Sequence, residues 1–130
     1  MGHKYEWVEE PWIMKVSYYG RLMHDDLESV MEHCLKVVDK HPANFLIDIT
    51  EVDGFDPNTM KSKSIIVFTR HPNTKWFAVV GLEMSVIKLG IAILGRFASI
   101  KVFNNTEAGL TFLREMVEHQ KQDMAEPESI

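Results

Sequence analysis

Two short, almost unbroken apolar runs, Phe45-Leu46-Ile47-Asp48-Ile49 and Trp76-Phe77-Ala78-Val79-Val80, constrain the fold of this 130-residue chain more than any other feature. A strand that is apolar on successive residues shows the same character to both sides of its sheet, so both sides must be covered. Each run therefore predicts a strand in mid-sheet. The segments around them carry a different period. From Asp25 to Lys40, Leu27, Val30, Met31, Cys34, Leu35 and Val38 recur at three- and four-residue steps, which predicts an amphipathic helix. Its start falls at His24 or Asp25, where Asp25, Asp26 and Glu28 suit the positive end of the helix dipole, and Pro42 follows its end.

Ahead of this helix, Tyr5 and Trp7, then Trp12, Met14, Val16 and Tyr18, stand at every second position on either side of Pro11. That spacing predicts two strands, closed by Gly20. After the Asp53-Gly54 turn signal a second helix is expected from Pro57 to Arg70, although the β-branched Ile65-Ile66-Val67 weakens it. A third is expected over Met84–Ala98. Ile100-Lys101-Val102-Phe103 then reads as a short strand. A last helix begins near Asn105 or Thr106, with Asn105 as its cap, and ends near Gln120. Helix alternating with strand through short connectors predicts a single α/β domain: a mixed sheet of about five strands, the later ones parallel, with about four helices. Residues 1–120 would form the domain and residues 121–130 a frayed polar tail.

The order of elements and several segments resemble the STAS superfamily, more closely its SpoIIAA-like branch. The segments are Leu46-Ile47-Asp48-Ile49-Thr50-Glu51-Val52-Asp53-Gly54-Phe55, Phe77-Ala78-Val79-Val80-Gly81, and Val102-Phe103-Asn104 followed by Glu107-Ala108 and Phe112-Leu113. The resemblance implies a non-enzymatic interaction module. Anti-sigma-factor antagonists of that family carry a phosphorylated serine where the strand enters the second helix. Here the place reads Asp56-Pro57-Asn58-Thr59, and proline has no hydroxyl to phosphorylate. Thr59 is the alternative acceptor. The branch is also similar to CRAL-TRIO domains in architecture, which implies an apolar, lipid-like ligand.

Composition narrows the chemistry. A net charge of −5 with scattered Lys and Arg argues against nucleic-acid binding through phosphates. No apolar run is long enough for a membrane span, and the first residues lack the apolar stretch of a secretory signal, so a cytoplasmic location is expected. The six histidines show no His-Glu-x-x-His spacing, and Cys34 has no second cysteine for a shared metal. Neither a metal nor another cofactor is expected. Gly-x-Ser-x-Gly, the P-loop and the dinucleotide fingerprint are all absent, which leaves the enzyme reading without a recognisable nucleophile or phosphate loop.

The binding surface is expected on three places. The first is Asp48 with the loop after it, Asp53 and Phe55, and Asp48 is read as a strand-end carboxylate that receives backbone N–H groups. The second is the helix start at Asp56, Asn58 and Thr59. The third is the Met84–Phe97 segment, apolar around most of its circumference, where Ser85, Lys88, Ile91, Leu94 and Phe97 would face a ligand or a second copy of the chain. The partner would be the chain itself as a homodimer, a regulatory protein, or a small apolar ligand.

Overall fold

A computed structural model describes residues 2–56, 63–81 and 99–125. In chain order the elements are β1 (His3–Glu9), β2 (Ile13–Leu22), α1 (His24–Val38), β3 (Ala43–Phe55), α2 (Lys63–Arg70), β4 (Thr74–Val80), β5 (Ser99–Phe103) and α3 (Thr106–Ala125). The five strands form one sheet in sequence order, with β1 antiparallel to β2 and every later neighbour parallel. The mixed sheet with parallel later strands is as expected. The helix expected over Met84–Ala98 lies outside the described residues, as does the expected start of the second helix at Pro57.

Register explains how the two apolar runs are used. Trp7, Met14, Phe45, Phe77 and Ile100 fall in one row across all five strands, and Tyr5, Val16, Ile47, Val79 and Val102 fall in another. Both rows face α1 and α2, whose Val30, Met31, Cys34, Val38 and Phe68 pack against the central part of these rows. On the opposite face Leu46, Ala78 and Val80, joined by Ile13, receive Leu113 and Val117 of α3. The sheet therefore separates two apolar cores. Each run of consecutive apolar residues feeds both, which is why β3 and β4 show no alternation in their centres.

The helix ends follow local chemistry in part. Asn105 caps α3 as expected, its Oδ1 accepting the Ala108 N–H at 2.8 Å. α1 begins at His24, one of the two expected starts; its cap residue Met23 makes no side-chain capping bond, and Asp25 and Asp26 occupy the first turn.

Three boundaries differ from the sequence reading. Gly20 does not end β2, and Asp53-Gly54 does not make a turn. Instead β2 continues to Leu22 and β3 to Phe55, pairing Arg21 with Gly54 and Leu22 with Phe55. Gly20 takes a φ of 66° beside a shift in register, so it forms an irregularity within the strand rather than an exit from it. Turn-forming residues are overridden here because the neighbouring strand supplies backbone partners on both sides of the irregularity; the Asp56 N–H extends the ladder to the Leu22 carbonyl at 2.8 Å. Third, α3 runs past the expected end near Gln120 to Ala125.

Gln120 has a structural reason to stay helical. Its side-chain amide exchanges two hydrogen bonds with the fully buried amide of Asn44: Asn44 Nδ2 donates to Gln120 Oε1 at 2.8 Å, and Gln120 Nε2 donates to Asn44 Oδ1 at 2.9 Å. The same Asn44 donates from Nδ2 to the Trp12 carbonyl and accepts the Trp76 N–H at Oδ1, each at 3.1 Å. One amide thus joins the beginnings of β2, β3 and β4 to the last turns of α3.

Candidate ligand cavity

Among the described residues, the packing beneath α1 and α2 leaves a partly open apolar recess. A cavity of about 160 Å³ lies between these helices and the sheet. Its sheet side is made by Tyr18 and Leu22 of β2, Ile47 and Ile49 of β3, Phe77 and Val79 of β4, and Ile100 of β5. Leu27 and Met31 of α1 and Phe68 and Thr69 of α2 form the helical side.

Each of these side chains arrives by simple periodicity. Leu27 and Met31 are one helical turn apart on the inward stripe of α1, and Ile47 and Ile49 are alternate residues of β3. At one end of the cavity three rings pack together. Phe68 meets Phe45 and Phe77 edge-on, with centroids 5.1 and 5.5 Å apart, while Phe45 and Phe77 stack at 5.7 Å. These rings fix where α2 sits on the sheet. Ser64 of α2 also donates a hydrogen bond to Glu28 of α1, holding the two helices together above the cavity.

The described lining residues carry no charge. Of their two hydroxyl groups, that of Thr69 turns back to the Ile66 carbonyl at 3.2 Å, within its own helix. Tyr18 is 3% exposed, and burial first, then the nearby Cys34 and Asp26, push its phenol well above the usual tyrosine range, so it stays protonated. Behind the wall Cys34 is buried, and burial pushes its thiol up to about 12. His33, stacked on Tyr5 with ring centroids 3.9 Å apart, is held below the usual imidazole range by burial and then by Lys36.

The state of Cys34 leads to a direct expectation. At pH 8 a thiol titrating near 12 is thiolate in only about one part in ten thousand, so a disulfide reagent should leave Cys34 untouched in the native protein. Full labelling should appear only in denaturant. Prompt, stoichiometric labelling of the native chain would show that α1 opens far more readily than its packing implies.

The residues expected to bind are distributed differently. Asp48 lies within β3 rather than at its end, and it points to the face opposite Ile47 and Ile49, away from the cavity. The capping role holds, since its Oδ1 accepts the Thr50 N–H at 2.9 Å and the Thr50 hydroxyl at 2.6 Å, while Oδ2 stands 3.9 Å from Lys15 Nζ. Asp53 is exposed on the far part of β3, and Asp56 follows the strand, half-buried. Phe55 ends β3, but its side chain is outside the described residues, as are Asn58, Thr59, Ser85, Lys88, Ile91, Leu94 and Phe97. None of the described candidates lines the cavity. Among the described residues no group of His, Cys, Asp and Glu could hold a metal ion, and no helix is long and apolar enough to cross a membrane.

No family model matches the sequence, and the comparison with curated proteins finds no match. Solved structures do match. An uncharacterized protein of the DUF3478 family with a SpoIIAA-like fold, from Shewanella loihica PV-4, is 21% identical and superposes with a TM-score of 0.63 over 86% of this chain and 94% of that one. The anti-sigma factor antagonist SpoIIAA in its unphosphorylated form is 10% identical, with a TM-score of 0.60 over 92% and 97% of the two chains. An anti-sigma factor antagonist from Mycobacterium paratuberculosis is 13% identical, with a TM-score of 0.56 over 86% and 94%. The fold is SpoIIAA-like.

Proposed function

We propose that this chain is a non-catalytic binding module that takes an apolar group into the cavity between α1, α2 and the sheet. The observation that carries the reading is the cavity itself, a space of about 160 Å³ whose described walls, seven strand residues and four helix residues, are uncharged. Protein interiors are ordinarily packed to the density of organic crystals, whereas the described walls of this partly open recess leave apolar surface uncovered. A ligand that fills it recovers the missing contacts.

The fold supports binding over catalysis. Two of the solved structures that share it are named for antagonism of another protein and not for a reaction. The chemistry of the lining agrees, because among the described wall residues Tyr18 and Thr69 carry the only side-chain polar atoms, one held neutral and the other bonded within α2. A wall of this kind stabilises an apolar surface and offers neither nucleophile nor base.

Mass spectrometry of the purified protein, intact under native conditions and after organic extraction, tests the reading. The expected result is a bound apolar molecule in one-to-one ratio, released by the solvent, or uptake of one from an added mixture of apolar compounds. A protein that carries nothing and takes up nothing would remove the cavity from the function and favour an interaction surface elsewhere.

A further inference from the structure

If the cavity is a binding site, its dimensions and lining say what kind of molecule it takes. We infer that the ligand is a small, neutral, ring-sized apolar molecule, and not a long-chain lipid with a charged head. This deepens the proposed function and rests on it.

Size is the first ground. A cavity of about 160 Å³ is close to the roughly 150 Å³ of an engineered apolar cavity in another protein that stays dry and binds benzene. It falls well short of the roughly 300–1,000 Å³ of pockets that enclose larger ligands. Shape is the second. Phe68 and Phe77 are edge-on to each other, and both belong to the wall, so aromatic carbon in two orientations borders the space. A planar ring meets such walls in the offset or edge-to-face arrangements that aromatic groups prefer.

Charge is the third ground. An anionic head group inside the cavity would find no cation and no free N–H donor among the described wall residues. The Thr69 hydroxyl is spent on Ile66, and the Asp26 carboxylate near Tyr18 adds negative charge to that side. Desolvating a carboxylate without partners costs far more than the apolar contacts return.

Ligand-observed NMR with toluene and with decanoate, on the full chain, separates the possibilities. The expected result is saturable one-to-one binding of toluene, at least tenfold tighter than decanoate, with contacts from the toluene protons to the Met31 methyl group. Val79→Phe and Leu27→Phe each add a ring to the cavity and should each weaken toluene at least tenfold. Circular dichroism reports whether each variant folds, and Leu27 is only partly buried, so its variant carries the comparison if Val79→Phe does not fold. The Met31 contacts in the unaltered chain stand on their own in either case. Decanoate binding as tightly as toluene, and lost in the same variants, would overturn the ligand class and leave the cavity reading intact. Binding of neither probe would overturn both. Toluene binding that persists in both folded variants would place its site elsewhere and also overturn the inference.

Discussion

Asn44→Leu is expected to lower the unfolding free energy by about 2–4 kcal/mol, since each buried polar group left without a partner costs about 1–3 kcal/mol. Asn44 is fully buried and makes four side-chain hydrogen bonds, to Trp12, to Trp76 and twice to Gln120. Leucine has a similar volume, so the loss isolates the polar network from the packing. The groups are affected unequally. The Trp12 carbonyl keeps the Asn44 backbone N–H at 2.8 Å, whereas the Gln120 amide loses both of its bonds to Asn44.

Urea titration should therefore show a lower midpoint with an unchanged slope, because the folded architecture persists and the surface exposed on unfolding is the same. Gln120→Leu should cost less, its side chain being only half-buried. The double variant should cost less than the two single changes combined, since removing both amides leaves neither one stranded. A midpoint within error of the parent would mean that the four bonds contribute nothing net.

The second large effect is expected at Gly81, where Gly81→Ala should cost about 3 kcal/mol or more, combining left-handed backbone strain with overpacking of about 1–3 kcal/mol. Gly81 follows β4 with a φ of 97°, and a Cβ there would lie 2.6 Å from the Thr50 backbone N and 2.7 Å from its Cα. Those atoms belong to β3 and cannot swing aside as a side-chain tip could. Gly20 provides the control. It also has a positive φ, 66°, but a Cβ there would meet nothing within 4 Å. Gly20→Ala should cost only about 1–2 kcal/mol, the backbone strain alone. Thermal unfolding of the two variants gives the difference. Equal losses would show that Thr50 and its strand yield to the added carbon.

The same glycines show how far the chain could be read without its structure. The strands around Met14, Phe45, Phe77 and Ile100 and the inward stripe of α1 follow from periods of two and of three to four residues, which are local properties of the sequence. The extension of β2 through Gly20 and of β3 through Asp53-Gly54 does not. There, residues that favour turns are held extended by pairing between segments some 30 positions apart, and no local pattern reports a partner at that distance. The role of Asp48 as acceptor of a backbone N–H was legible, but its place in mid-strand depends on that same extension.

The cavity was hidden for a different reason. Tyr18, Leu27, Met31, Ile47 and Phe77 are core residues at core positions, and nothing in their identity distinguishes a wall that touches its neighbour from one that stops short. That distinction arises from how high Phe68 and its two aromatic neighbours hold α2 above the sheet. It is a distance between layers and has no counterpart in sequence spacing.

The division of the apolar residues by the sheet bears on how such a protein can diverge. Substitutions under α3, among Ile13, Leu46, Ala78, Leu113 and Val117, act on stability without entering the walls of the cavity. Changes at Leu27, Met31 or Thr69 reshape the cavity without disturbing the packing of α3. Effects at sites without shared contacts tend to add. One side can therefore gain stability while the shape of the cavity on the other side drifts, so two descendants with the same backbone need not share the same cavity.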